Sequence, residues 1–324
     1  MNLGIDIGYS AVKAVSGERR VTFPSAVGTP DKARFSLNGG DATIILMAPA
    51  HVQVGEGAIQ QSRFIQRREE RRWIESDEWY TLFLAALTEL STTPYDAAVR
   101  IVTGLPVAFF SDKDTVQKRL TGEHTAQREG RHSQRFNVVS ATVIPQPFGT
   151  LLTASLDNRG RIVDQTIAGG AIGVIDCGGK TTNLLSVNRL TEISHETASV
   201  NVGAWDAVRA MRGWFDEHCP DLDLRDHQVI ERIIARSTKY YGKEVDLSEA
   251  VDAILKPLAG EVLAAATQMW NGAAALDAIL VSGGGALLLG PYIGEYFPHA
   301  RVVQEAVFAN AVGFWKFAER LANQ

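Results

Sequence analysis

Short aliphatic and β-branched runs open the chain. Residues 2–7 and 11–16 are two such runs, joined by Gly8-Tyr9-Ser10, and they predict a hairpin. Residues 21–25 predict a third strand that ends at Pro24. Residues 30–62 carry Gly39-Gly40 between short apolar runs, including residues 43–46, and read as a small β-rich insertion. The run 67–72 alternates in charge and reads as a solvated helix face. From residue 79 to 90 the period changes: Leu82, Phe83, Ala86, Leu87 and Leu90 fall at helical spacing. Residues 97–106 predict a buried strand ending in a turn, and 111–134 form a polar segment. A strand over 137–144 is closed by Pro145-Gln146-Pro147, and a helix follows over 148–155.

Asn158-Arg159-Gly160 and Gly169-Gly170 flank a crossover, after which the opening pattern returns. Residues 172–176 predict a strand, 177–182 a turn and 183–187 a return strand. A strand–Asp–glycine turn–strand unit is therefore present twice, about one domain apart. Helical patterns follow over 203–218, 225–235 and 247–271. Residues 277–286 read as strand, glycine loop and helix start; 302–303 suggest a last strand, and 309–321 a closing helix.

Composition narrows the class. A chain of 324 residues with 45% apolar and 21% charged residues fits a soluble globular protein of two ordinary domains. The net charge of -5 supplies no basic field, so no direct nucleic-acid binding is expected. The two cysteines, Cys177 and Cys219, have no paired spacing, which suggests neither a disulfide framework nor a zinc site. Reduced thiols and an N-terminus unlike a signal peptide point to the cytoplasm. The apolar stretch 278–289 is interrupted by Ser282 and three glycines, and nothing approaches the ~20 apolar residues of a membrane span.

The repeated turns suit a nucleotide. Bound phosphates need backbone N–H donors at close approach, which glycine permits. Magnesium needs hard oxygen ligands, often through waters. Asp6 and Asp176 each end a buried strand, where a carboxylate is costly without a cation or donors nearby. Two such carboxylates facing one Mg2+ from two domains would make the metal a bridge. Gly8, Tyr9, Ser10 and Gly178, Gly179, Lys180, Thr181, Asn183 would then contact phosphates. Lys13, on the return strand, would reach the outer phosphates as a point charge. Gly283, Gly284 and Gly285 would admit an adenosine or its α-phosphate. The alternative for either turn alone is an ordinary hairpin with a capping aspartate. No G-x-x-x-x-G-K-[ST] segment is present, and no acid follows a G-x-G-x-x-G at the ribose-binding distance.

The order of the Asp6 turn, the Asp176 turn and the Gly283 loop resembles the actin/Hsp70/sugar-kinase superfamily. In that family's terms residues 6–13 look like phosphate-1, 176–183 like phosphate-2 and 282–286 like the adenosine motif. Val202-Gly203-Ala204 looks like connect-1, which adds Gly203 to the cofactor set, and residues 309–313 look like connect-2. The nearest likeness is to plasmid-segregating actins of the ParM/StbA type and archaeal actin-like proteins, whose "TGLP" segment Thr103-Gly104-Leu105-Pro106 resembles. Gln146 falls where that group carries an acid after a proline and actins a glutamine. The resemblance makes it the residue that positions the attacking water, beside Asp176, in catalysis. Lys180 departs from the pattern, which usually has a small hydroxyl residue there. Arg232, Lys239 and Tyr240 lie in the region of adenine contacts, but no motif fixes them.

The resemblance implies an α/β, two-domain actin-like (ribonuclease H-like) fold with a nucleotide cleft. Domain I would span 1–165 with the C-terminal helix, about 309–324, returning to it, and domain II would span 166–308. It implies an ATPase that cycles through ATP and ADP with Mg2+ and assembles head to tail with itself into filaments, for plasmid segregation or another cytoskeletal role. A DNA-bound adaptor protein would carry the cargo. Two alternatives stand: a small-molecule kinase of the same superfamily, and a non-polymerising ATP-binding adaptor. A kinase would need a catalytic carboxylate at the place of Gln146. The retained Asp6, Asp176 and Gln146 argue against the adaptor.

Overall fold

The computed structural model describes residues 1–31, 44–62, 65–66 and 71–323. The Gly39-Gly40 part of the expected insertion and residues 67–70 of the charged run lie outside the described residues. The chain divides into two compact units: Met1–Asp164 with Asn310–Gln324, and Gln165–Ala309.

The first unit is built on a long mixed sheet. Its central strands run in the order Arg19–Pro24, Ala11–Ser16, Asn2–Ile7, Tyr95–Leu105, Gln134–Pro145 and Gly122–Arg128. Asn2–Ile7 pairs antiparallel with its hairpin partner and parallel with Tyr95–Leu105. The sheet continues into the insertion through Ile44–Ala48 and Val52–Val54. Helix Asp77–Leu90 begins two residues before the apolar period because Ser76 caps it, its hydroxyl accepting from Trp79 N at 3.2 Å. Leu82, Phe83, Leu84, Ala86 and Leu87 are buried, so the helix is enclosed nearly all round and forms the centre of the core.

The polar segment 111–134 is more ordered than its pattern suggests. It holds helix Lys113–Leu120 and strand Gly122–Arg128. Val116 and Leu120 are the buried residues of the helix, and Arg119 ties it to the Ile74 and Ser76 carbonyls, both at 2.8 Å. The strand turns His124 and Ala126 inward, residues with a weak apolar signal. His124 Nε2 faces the Leu120 carbonyl at 2.9 Å, so that nitrogen carries the proton and Nδ1 accepts from the Tyr80 hydroxyl at 2.8 Å.

The C-terminal helix, Ala309–Ala322, crosses helix Phe148–Ser155 within this unit from Asn310 onward. The contact is backbone to backbone: a Cβ on Gly313 would overlap the Gly149 carbonyl. Asn310 Oδ1 accepts from Thr150 N at 3.1 Å and Thr150 Oγ1 at 2.9 Å. Lys316 donates to the last carbonyls of the shorter helix, Thr153 O at 2.8 Å and Leu156 O at 2.6 Å.

The second unit repeats the first unit's central arrangement. Ala171–Cys177 pairs antiparallel with Thr182–Asn188 and parallel with Ala278–Ser282, which pairs in turn with Ala300–Val302. Helices Ala204–His218, Asp226–Ala235 and Ser248–Met269 enclose the core around Met211, Phe215, Val251 and Val262. The hairpin Ser237–Tyr240 and Lys243–Asp246 was not visible as strands in the apolar pattern: only Thr238 of its residues is buried.

Candidate functional site

Each unit presents one aspartate at the end of its central strand, followed by a glycine turn. The two turns close with the same bond. Gly8 N donates to Ala11 O at 3.2 Å, and Gly178 N donates to Thr181 O at 2.9 Å. These turns set the register, so Asp6 lies opposite Lys13 and Asp176 opposite Asn183. Turn length alone produces the pairing: residues equally far on either side of a tight turn face one another.

In the first unit Asp6 is 4% exposed. Burial pushes its carboxyl above the ordinary carboxylate range, while the Lys13 charge and a hydrogen bond from Gln146 act in the opposite direction. Gln146 Nε2 donates to Asp6 Oδ1 at 2.7 Å. Gln146 itself is fixed by its backbone, its N–H donating to Leu105 O at 2.8 Å at the end of the neighbouring strand. Sequence reading placed Gln146 beside a reacting water; its contact here is the buried carboxylate. The ring of Tyr9 stacks on Trp73, with centroids 4.9 Å apart. Ser10 is exposed, and its carbonyl accepts from Ser25 N at 3.0 Å. Gly4 belongs to the core, since a Cβ there would overlap the backbone of Ala311 and Trp315.

In the second unit Asp176 is 3% exposed. Ser282, its register partner on the parallel strand, donates from Oγ to Asp176 Oδ1 at 3.4 Å. Asn183 Oδ1 accepts from Ser199 Oγ at 2.7 Å, and Thr182 Oγ1 donates to Val202 O at 2.8 Å. Gly203 packs on this turn, because a Cβ would overlap the Gly179 carbonyl. The first helical N–H groups beyond it are taken by the turn: Ala204 N donates to Gly178 O at 3.0 Å, and Trp205 N to Gly179 O at 2.8 Å. Lys180 and Thr181 complete the turn and are half-buried.

The three loop glycines differ. Gly283 has φ +88°, and a Cβ would overlap the Cys177 carbonyl, so the chain's own packing requires glycine. Gly285 N donates to Cys177 O at 2.8 Å, which ties the loop to the Asp176 strand. A Cβ on Gly284 would meet open space. Just past the loop, Leu287 is 54% exposed on the first turn of helix Ala286–Tyr296. Arg232, Lys239 and Tyr240 lie on the last turn of one helix and on the adjoining hairpin of this unit.

Sequence reasoning missed Ser25, Trp73 and Ser199, which hold the turns from other strands and loops. The only local signal was the position of Ser25 at the end of a strand beside a proline. Cys177 and Cys219 are both buried and free, and burial with the neighbouring Asp176 charge pushes the Cys177 thiol up to about 12. Among the described residues no group of three or more His, Cys, Asp or Glu could hold a metal by itself. Buried single carboxylates suit magnesium, which takes one or two carboxylates and completes its shell with water and phosphate oxygens. No helix of the described residues is long and apolar enough to cross a membrane.

Comparison with known proteins follows the same division. The family described as the N-terminal domain of actin-like proteins matches residues 4–149. The C-terminal domain of MreB-like archaeal actin homologues matches residues 174–295. No curated protein matches by sequence. The archaeal actin homologue Ta0583 has the same fold with TM-score 0.82 at 23% identity, over 98% of this chain and 99% of that one. It has also been crystallised with ADP. ParM from Clostridium botulinum, solved as a 15-stranded filament, matches with TM-score 0.77 at 24% identity, over 99% of this chain and all of the other. ParM from Bacillus thuringiensis, solved with AMPPNP, matches with TM-score 0.71 at 15% identity, over 100% and 99% of the two chains.

Proposed function

We propose that this chain, which belongs to the actin-like proteins related to archaeal actins and ParM, binds and hydrolyses ATP and couples hydrolysis to head-to-tail self-assembly. The observation that carries the reading is the duplicated buried aspartate, Asp6 and Asp176, each on the same strand–turn–strand frame. Each turn would serve the phosphates of a nucleotide. Gly8, Tyr9, Ser10 and Lys13 would meet the outer phosphates, and Gly178 to Thr181 with Asn183 the remainder. Gly284 and Leu287 support contact with the nucleoside, since a Cβ on Gly284 would meet open space and Leu287 is more than half exposed.

Asp6 and Asp176 would hold magnesium through oxygen donors. When bound, the metal would neutralise charge on the phosphates. Gln146 would orient water: its amide N–H is held by Asp6, which leaves the amide oxygen as the acceptor for a water proton. A glutamine orients without being a strong base. Loss of the γ-phosphate would remove contacts to one state and shift the equilibrium towards the other, which would make assembly nucleotide-dependent. Cargo would be carried by an adaptor protein, because the acidic chain offers little to a phosphate backbone.

Phosphate release in single-turnover and steady-state assays tests the site. Asp176→Ala should abolish magnesium-dependent hydrolysis. Gln146→Ala should slow it roughly a hundredfold, the usual cost of one lost preorganised contact, while ATP still binds. Wild-type turnover in Asp176→Ala would sink the assignment. Loss of ATP binding in Gln146→Ala would sink the water-positioning role.

A further inference from the structure

Ser25 makes two hydrogen bonds to the first glycine turn. Its hydroxyl donates to Gly8 O at 2.6 Å, and its backbone N–H donates to Ser10 O at 3.0 Å. The residue is 7% exposed, so neither bond competes freely with water. The two carbonyls bracket Tyr9. A peptide unit is planar and trans, so its C=O and N–H point to opposite sides. Drawing the Gly8 carbonyl onto Ser25 therefore turns the Tyr9 N–H away from Ser25. A second hold acts on the same residue from elsewhere: the Tyr9 ring stacks on Trp73, itself 6% exposed, with an interplanar angle of 24°.

We propose that Ser25 and Trp73 are positioning residues of the phosphate turn. Ser25 directs the Tyr9 N–H towards the bound phosphate, and Trp73 prevents the Tyr9 side chain from swinging into that space. This rests on reading Gly8 to Ser10 as a phosphate turn. Neither residue touches the nucleotide. Both act by removing the need to reorganise the loop when an anion arrives, which is where preorganised backbone donors gain their strength.

The two holds also connect the turn to the insertion. Ala26, next to Ser25, accepts from Gly55 N at 2.9 Å, and Val27 pairs with Val54. Trp73 sits in the turn Arg71–Glu75 that leads from the insertion to helix Asp77–Leu90. Nucleotide binding should therefore be felt at Trp73.

The experiment titrates full-length protein with a fluorescent ATP analogue in magnesium buffer. Ser25→Ala should weaken binding about tenfold, the scale of one buried hydrogen bond. Ser25→Thr, which keeps the hydroxyl, should restore binding to within about threefold of wild type. If Ser25→Ala does not fold, the nearly isosteric Ser25→Cys, a weak donor, takes its place with the same expected loss. Wild-type affinity in a folded Ser25→Ala or Ser25→Cys variant overturns the proposal, as does a Ser25→Thr variant as weak as Ser25→Ala. ATP should change the intrinsic tryptophan fluorescence of the wild type and not of Trp73→Phe; an unchanged difference signal in Trp73→Phe removes Trp73 from the device. If wild-type protein fails to bind the analogue at all, the phosphate-turn reading itself falls, and that outcome is distinct from the others.

Discussion

At the scale of the residue, Asp6 is where stability and the proposed function oppose each other. Its carboxyl is buried, and its folded pKa lies above the unfolded value of 3.8. Between those two values the folded protein keeps a proton that the unfolded chain has lost. Stability therefore falls as pH rises through that window, and the cost is complete above it. Lys13 and Gln146 offset part of the cost. Asp6→Asn removes the charge and still offers an oxygen to Gln146 Nε2. The nucleotide-free variant should melt about 2–4 °C higher than wild type at pH 7, with the gap closing towards pH 3, while magnesium-dependent ATP turnover falls to background. Thermal scans at both pH values check the first half and phosphate release the second. A lower melting temperature at pH 7 would show that the carboxylate is a net stabiliser. The two buried aspartates, Asp6 and Asp176, were legible in the sequence, because each ends an apolar strand. The partners were not. Ser25 and Trp73 are separated from the turn by 15 or more positions, and a side chain's hydrogen-bond partner depends on which strands meet.

At the scale of the element, apolar periodicity found most strands and helices within two or three residues. Phe148–Ser155 and the hairpin Asn2–Ile7 with Ala11–Ser16 lie where the pattern put them. Helix Lys113–Leu120 and strand Gly122–Arg128 escaped, since two apolar anchors and an inward histidine make too weak a signal. The opposite case is Gly313. Nothing in the sequence showed that it meets Gly149, yet that contact lets the C-terminal helix lie directly on its neighbour. Gly313→Ala places a methyl against backbone, which neither helix can yield without moving apart. The expected loss is about 3 kcal/mol or more, read as a drop in the denaturant midpoint. Gly213→Ala, in helix Ala204–His218 with open space around its Cβ, should instead be neutral or slightly stabilising. Equal effects of the two substitutions would contradict the packing argument.

At the scale of the whole molecule, the proposed assembly makes its own prediction. Sedimentation and light scattering should show polymer with ATP, less with ADP and least without nucleotide, above a critical concentration. Asp176→Ala should lack the ATP-specific response. No ATP-dependent pellet over a wide concentration range would favour a nucleotide-binding adaptor that does not polymerise. Such a contact must be heterologous and non-closing, which requires surfaces that no periodicity marks. The sequence alone determined the α/β class, the duplicated strand–turn–strand frame and the aspartate that ends the first strand of each copy. These follow from local rules: strand period, turn length and the cost of a buried carboxylate. The tertiary structure decided the rest. It set Gln146 on Asp6, Ser25 and Trp73 on the first turn, Ser199 on Asn183, and the closing helix on Gly149. Each of these joins residues far apart along the chain, and only the folded backbone brings such groups within hydrogen-bond or van der Waals reach.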